Sequence, residues 1–125
     1  MKELIEKALE AREKAYAPYS KFRVGTALLT ANGKIYTGCN VENASYPVGI
    51  CAERVAISKA VADGEMDFSV IAVVGSGENY CMPCGMCRQF MAEFCKEDFE
   101  IIVAKSIDEY EIIKMGELLP YTFKI

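Results

Sequence analysis

The sequence predicts an α/β fold of three layers, α/β/α, in which a mixed, roughly five-stranded sheet is covered by helices. Three observations carry this. Helical and strand patterns alternate along the chain in the order helix, hairpin, helix, strand, helix, strand. The run from Phe68 to Val74 is continuously apolar, which requires a strand buried on both faces. The 125 residues are 52% hydrophobic, enough for one domain spanning 1-125 with a real core.

Each element has its own reason. Leu4, Ile5, Ala8, Leu9 and Ala15 to Tyr16 form an apolar stripe at helical spacing over Lys2 to Tyr16, and Pro18 stops that helix. Phe22 to Thr30 and Lys34 to Cys39 read as strands joined at Asn32-Gly33, a strong hairpin signal. Residues 51 to 63 are Ala-rich and helical, with Gly64 placed to end the helix. Pro83 opens a third helix over residues 84 to 96. Glu100 to Ala104 and Tyr110 to Met115 read as the last strands, followed by a short helical turn from Gly116 to Leu119 before Pro120.

Composition narrows the partners. A net charge of -4, with 14 basic against 18 acidic residues and no basic run, argues against a surface that tracks nucleic-acid phosphates. A small-molecule partner is expected. Met1 leads directly into a charged amphipathic stretch, and no run of apolar residues is long enough to span a bilayer, so a cytoplasmic protein is expected. In a reducing compartment six cysteines point to metal binding before disulfides. The chain has no histidine. That excludes His-dependent nucleophile pairs and His-ligated metal sites, and leaves sulfur or carboxylate to hold an ion.

Two cysteine stretches provide the sulfur. Cys84 and Cys87 stand three apart after Pro83, on one face of a helix N-terminus whose dipole favours thiolates. Cys51 opens the second helix in the same way. Glu53 lies two residues further on, which turns it away from Cys51 and makes it a neighbour of the ion in preference to a ligand. Both stretches follow strands at loop-to-helix transitions, where α/β sheets gather their sites. A structural zinc site completed by Cys81 or Cys39 is an alternative reading. Cys81, Cys84 and Cys87 also hint at an iron–sulfur run, although the next cysteine, Cys95, is too far along the chain for that pattern. Cys39, Cys81 and Cys95 read as small buried or loop residues.

Cys-Ala-Glu-Arg at 51 to 54, Pro-Cys-Gly-Met-Cys-Arg-Gln at 83 to 89 and Gly-Cys-Asn-Val-Glu-Asn-Ala-Ser-Tyr at 38 to 46 closely resemble the small homotetrameric, zinc-dependent cytidine deaminases. Ala-Tyr-Ala-Pro-Tyr-Ser-Lys-Phe at 15 to 22 and Glu-Leu-Leu-Pro at 117 to 120 extend the likeness nearly end to end. Met86 departs from it, in a slot usually taken by a smaller residue.

The resemblance implies a cytidine deaminase-like fold and one Zn²⁺ per chain, held by Cys51, Cys84 and Cys87. It implies a zinc-activated water as nucleophile and Glu53 as the proton shuttle that serves as base and then as acid. Arg54 and Gln89 would stand behind the ligands, with Arg54 offsetting the thiolate charge. Asn40 and Glu42 resemble the pair that binds the ribose hydroxyls, Phe22 would pack on the pyrimidine, and the backbone at Ala44 would read the base edge. Tyr46 and Phe123 match aromatics that complete sites across subunit interfaces. The expected reaction is hydrolysis of free cytidine and deoxycytidine to uridine and deoxyuridine with release of ammonia, in pyrimidine salvage. A deaminase of cytosine nucleoside antibiotics, as in the blasticidin S deaminases, and a non-catalytic zinc-stabilised module are the alternatives. The intact Asn40 to Ala44 run favours the first reading.

Overall fold

The central strand of the molecule is the continuously apolar run found in the sequence. In the computed structural model, which describes residues 1 to 125, it forms β3 (Phe68–Gly75) in a five-stranded sheet of order β2-β1-β3-β4-β5. The other strands are β1 (Val24–Thr30), β2 (Ile35–Cys39), β4 (Glu100–Ala104) and β5 (Tyr110–Lys114). Only β3 and β4 pair in parallel, so the sheet is mixed as expected.

Side chains alternate across the sheet and build two cores. On one face Ala27, Ala72, Val74, Ile102 and Ala104 pack under α1 (Lys2–Arg12) through Leu4, Ile5 and Ala8. On the other, Leu28, Ile71, Val73, Ile101 and Val103 pack under α2 (Ala52–Ala62), α3 (Gly85–Phe94) and the short α4 (Met115–Leu118). Helices therefore cover both faces, giving the three layers.

Strand direction positions the site. β2 runs antiparallel to β1, and β1 antiparallel to β3, so β2 and β3 point the same way. The segments leaving β2 and β3 lead into α2 and α3 respectively, which brings the two helix N-termini to one end of the sheet.

Several boundaries differ from those expected. The first helix stops at Arg12 and not at Tyr16. Residues 13 to 15 make only turn bonds back to residues 10 to 12, and Tyr16 is drawn off by the loop beyond β2: its amide donates to the Asn40 carbonyl at 3.0 Å, and the Glu42 amide donates to that of Tyr16 at 2.8 Å. Pro18 also disfavours helix at the residue before it. β1 starts at Val24, two residues later than Phe22, because the Phe22 amide is taken by the Ser20 hydroxyl at 3.0 Å. α3 ends at Phe94, where Cys95 turns extended, and α4 begins one residue early, at Met115. The β1–β2 turn is longer than a two-residue Asn-Gly loop: Thr30 N donates to the Lys34 carbonyl at 2.9 Å, and Gly33 supplies the left-handed φ of +91° that follows the turn.

Two glycines allow helices to lie directly on the sheet. A Cβ on Gly25 would stand 2.0 Å from the Ala8 carbonyl oxygen of α1, and one on Gly38 would stand 2.4 Å from that of Ala52 in α2. Thr26 secures the second contact from β1, donating its buried hydroxyl to the Ala52 oxygen at 3.0 Å.

Candidate metal centre and active site

Cys51 is the N-cap of α2 and Cys84 the N-cap of α3, both in extended conformation, and Cys87 lies in the first turn of α3. Their three Sγ atoms lie within 4.8 Å of one another. Cys51 Sγ and Cys84 Sγ are 3.8 Å apart. Two sulfurs bound at about 2.3 Å to one tetrahedral zinc ion are separated by about 3.8 Å, so the donor set fits zinc in both chemistry and spacing. Neither Cys39 nor Cys81 joins the group, which leaves it one ligand short of a closed structural site.

Electrostatics favour the same assignment. The Cys51 thiol is pulled well below its usual range, chiefly by the hydrogen bond from Cys87 and then by Arg54. The Cys87 thiol is pushed up because it keeps the shared proton. Arg54 Nη2 donates to Cys51 Sγ at 3.7 Å. Cys81 and Cys95, by contrast, are each pushed up to about 12 by burial, and so remain neutral thiols.

Glu53 follows Cys51 into the first turn of α2 and is only 4% exposed. Burial pushes its carboxyl up to about 7, with the charge on Cys51 adding to the effect, while its own backbone amide and Arg54 work against it. A carboxyl that exchanges protons near neutrality suits general acid–base work.

The other expected residues fall into two sets. Asn40, Glu42 and Phe22 form one bonded group. Asn40 Nδ2 donates to the Phe22 carbonyl at 2.8 Å, and its Oδ1 accepts from the Val24 amide at 2.8 Å. Glu42 Oε1 accepts from the amides of Tyr19 and Ser20, both at 3.1 Å, and Oε2 from the Ser20 hydroxyl. These bonds, the Ser20 hydroxyl first, hold the Glu42 carboxyl below the usual carboxylate range. Phe22 lies against the exit of β3. Ala44 is exposed, and neither its N–H nor its C=O is bonded within the chain. Tyr46, 76% exposed, sets its ring edge-on to Tyr19 at 6.1 Å. A cavity of about 360 Å³ is lined by Tyr19, Ser20, Glu42, Asn43, Tyr46 and Gly49.

Gln89 and Phe123 fall elsewhere. Gln89 is exposed on α3 and makes no hydrogen bond to the cysteines. It lines a separate groove with Phe123, which is 69% exposed within the single chain.

Four features had no role in the sequence reading. Ser20 links Glu42 to Phe22. Gly75 and Gly77 make room for the Phe22 ring. Arg88 donates from Nε to the Pro83 carbonyl at 2.8 Å and from Nη1 to that of Leu118 at 2.9 Å, bracing the start of α3. The Gly-Ser-Gly after an apolar strand was the available signal of close approach for the two glycines. Nothing in the spacing of Ser20 or Arg88 announces a partner.

Comparison with known proteins gives a consistent result. Residues 1–103 match the cytidine and deoxycytidylate deaminase zinc-binding region. The chain is 46% identical over 123 residues to a cytidine deaminase of Sporosarcina psychrophila, covering 98% of this chain and 90% of that protein. A second cytidine deaminase, from Halalkalibacterium halodurans, is 46% identical over 96% of this chain and 91% of its own length. Among solved structures, the cytidine deaminase of Burkholderia pseudomallei superposes with a TM-score of 0.92 at 49% identity, covering 97% of each chain.

Proposed function

This chain belongs to the cytidine and deoxycytidylate deaminase family, and on that premise we propose that it hydrolyses free cytidine and deoxycytidine to uridine and deoxyuridine with release of ammonia. The observation that carries the reading is the three-sulfur cluster at two helix N-termini with a buried carboxyl in the adjoining turn. Cys51, Cys84 and Cys87 would hold the zinc ion. When bound, zinc supplies a Lewis acid that activates water for attack on C4 of the base.

The chain's own groups do the rest. Glu53 takes one proton from the attacking water and delivers it to N3 of the cytosine ring, then takes the second from the hydroxyl now on C4 and gives it to the exocyclic nitrogen, which leaves as ammonia while C4 becomes a carbonyl. Its raised pKa supports both halves of that cycle. Arg54 offsets thiolate charge, so the site keeps Lewis acidity despite three anionic ligands. Glu42 and Asn40 offer acceptors and a donor to the ribose hydroxyls. Phe22 packs on the pyrimidine, and the free backbone groups of Ala44 read its edge. The exposure of Tyr46 and Phe123 supports their use at neighbouring subunits' sites in a homotetramer. We place residues 1-125 in one catalytic domain acting in the cytoplasm in pyrimidine salvage; no helix is long and apolar enough to cross a membrane.

The purified protein is expected to carry about one zinc per chain and to release ammonia from cytidine. Glu53→Ala should retain metal and fold while losing a factor of about 10² to 10⁴ in kcat, the range for removal of an acid–base group. Parent-like turnover by that variant would overturn the mechanism. Zinc binding without turnover of cytidine would direct the assay to cytosine nucleoside antibiotics. Light scattering reads the subunit number, and an active monomer would remove Tyr46 and Phe123 from the site.

A further inference from the structure

The Ser20 hydroxyl sits between two groups that the nucleoside reading treats separately. A hydroxyl has one hydrogen to give and lone pairs to receive. Here the hydrogen goes to Glu42 Oε2, and a lone pair accepts the Phe22 amide at 3.0 Å. Lys21, between Ser20 and Phe22, takes a left-handed φ of +61°, a conformation rare for a side-chain-bearing residue. That turn folds residue 22 back toward the Ser20 oxygen. The Phe22 carbonyl is then fixed from the other side by Asn40 Nδ2 at 2.8 Å. The tip of the Phe22 ring lies over Gly75 and Gly77, where a Cβ would stand 2.8 Å and 3.0 Å from it.

The carboxylate is constrained in the same way. An ionised carboxylate offers roughly four acceptor positions. Glu42 spends two on the amides of Tyr19 and Ser20 at 3.1 Å and one on the Ser20 hydroxyl, which leaves one. Ser20 therefore both aims Glu42 and restricts it to a single hydroxyl partner at the wall of the 360 Å³ cavity.

We propose that Ser20 is a positioning residue that locks the ribose-facing carboxylate of Glu42 to the base-facing ring of Phe22, so that the two halves of a nucleoside are read by one rigid unit. This rests on the assignment of Glu42 and Phe22 as nucleoside contacts. Ser20 itself does not touch the reacting atoms, and its effect belongs to KM before kcat.

Steady-state kinetics with cytidine test it, using Ser20→Ala, Ser20→Thr, Glu42→Ala and the Ser20→Ala/Glu42→Ala double variant, with zinc content and melting temperature as checks on folding. Ser20→Ala should raise KM about tenfold or more, the effect of losing a hydrogen bond to a charged group, while kcat changes far less. Ser20→Thr, which keeps the hydroxyl, should recover most of that loss. On the Glu42→Ala background the Ser20→Ala penalty should shrink, because the two changes remove one shared interaction. An unchanged KM for Ser20→Ala, or a penalty that persists in full without Glu42, would overturn the proposal alone. A parent protein unable to deaminate cytidine would overturn the functional reading and this proposal with it.

Discussion

A methyl group on residue 75 would stand 2.8 Å from Cζ of Phe22 and 2.8 Å from Cβ of Cys81, closer than carbon atoms approach. Gly77 leaves only slightly more room, with Phe22 Cε1 at 3.0 Å from the position of its missing Cβ. Gly75→Ala should therefore displace the Phe22 ring. The expected result is a stability loss of about 1–3 kcal/mol from overpacking and a raised KM for cytidine with zinc content unchanged, read by denaturant titration and kinetics. At this scale the sequence was most informative where chemistry restricts residue type. Cys51, Cys84 and Cys87 were legible because, without histidine, sulfur or carboxylate had to hold any metal and two cysteine stretches stood at helix starts; Glu53 stood out by its place in Cys-Ala-Glu, its spacing only setting it beside the ion. Ser20 and Gly75 were not legible, since their importance lies in what they touch across the fold.

Elements differ in which part of the molecule they hold. Gly25 and Gly38 each allow one helix to lie directly on the sheet, on opposite faces. Gly38→Ala would drive a Cβ to 2.4 Å from the Ala52 oxygen and 2.7 Å from the Ala56 amide, shifting the turn that carries Cys51, Glu53 and Arg54. Gly25→Ala crowds α1 instead, at 2.0 Å from Ala8 O and 2.4 Å from Arg12 N. Both variants should be destabilised, by at least about 1–3 kcal/mol. Only Gly38→Ala should also weaken zinc binding by its folded fraction, measured by competition with a chromogenic chelator. The α-helices and strands were legible from helical spacing, the hairpin signal and the continuous apolar run, but the short 3₁₀ helix at Tyr46–Val48 was not. Ends were less legible. Residues 13 to 15 leave α1 through turn bonds back to residues 10 to 12, and Tyr16 leaves it by pairing with Asn40 and Glu42, a contact that local pattern does not encode.

For the whole molecule, the mixed sheet was legible because a continuously apolar strand must be covered on both faces. The strand order was not, since β1 inserts between β2 and β3 through contacts distant in sequence. Two antiparallel steps set β2 and β3 in the same direction and so bring α2 and α3 together at the metal centre. That geometry has a kinetic side. Cys51 and Cys84 are 33 residues apart, and their sulfurs meet only once β3 has been seated between β1 and β4. Metal capture is therefore expected to follow the folding barrier, whose rate is set by these long-range pairings. Interactions absent from the transition state slow unfolding without speeding folding. Free zinc at 100 times its dissociation constant should add about 2.7 kcal/mol, nearly all of it in the unfolding rate. Stopped-flow experiments with and without chelator should give matching refolding rates and widely separated unfolding rates, so that zinc acts as a latch closed on a finished fold and sets how long each folded molecule lasts.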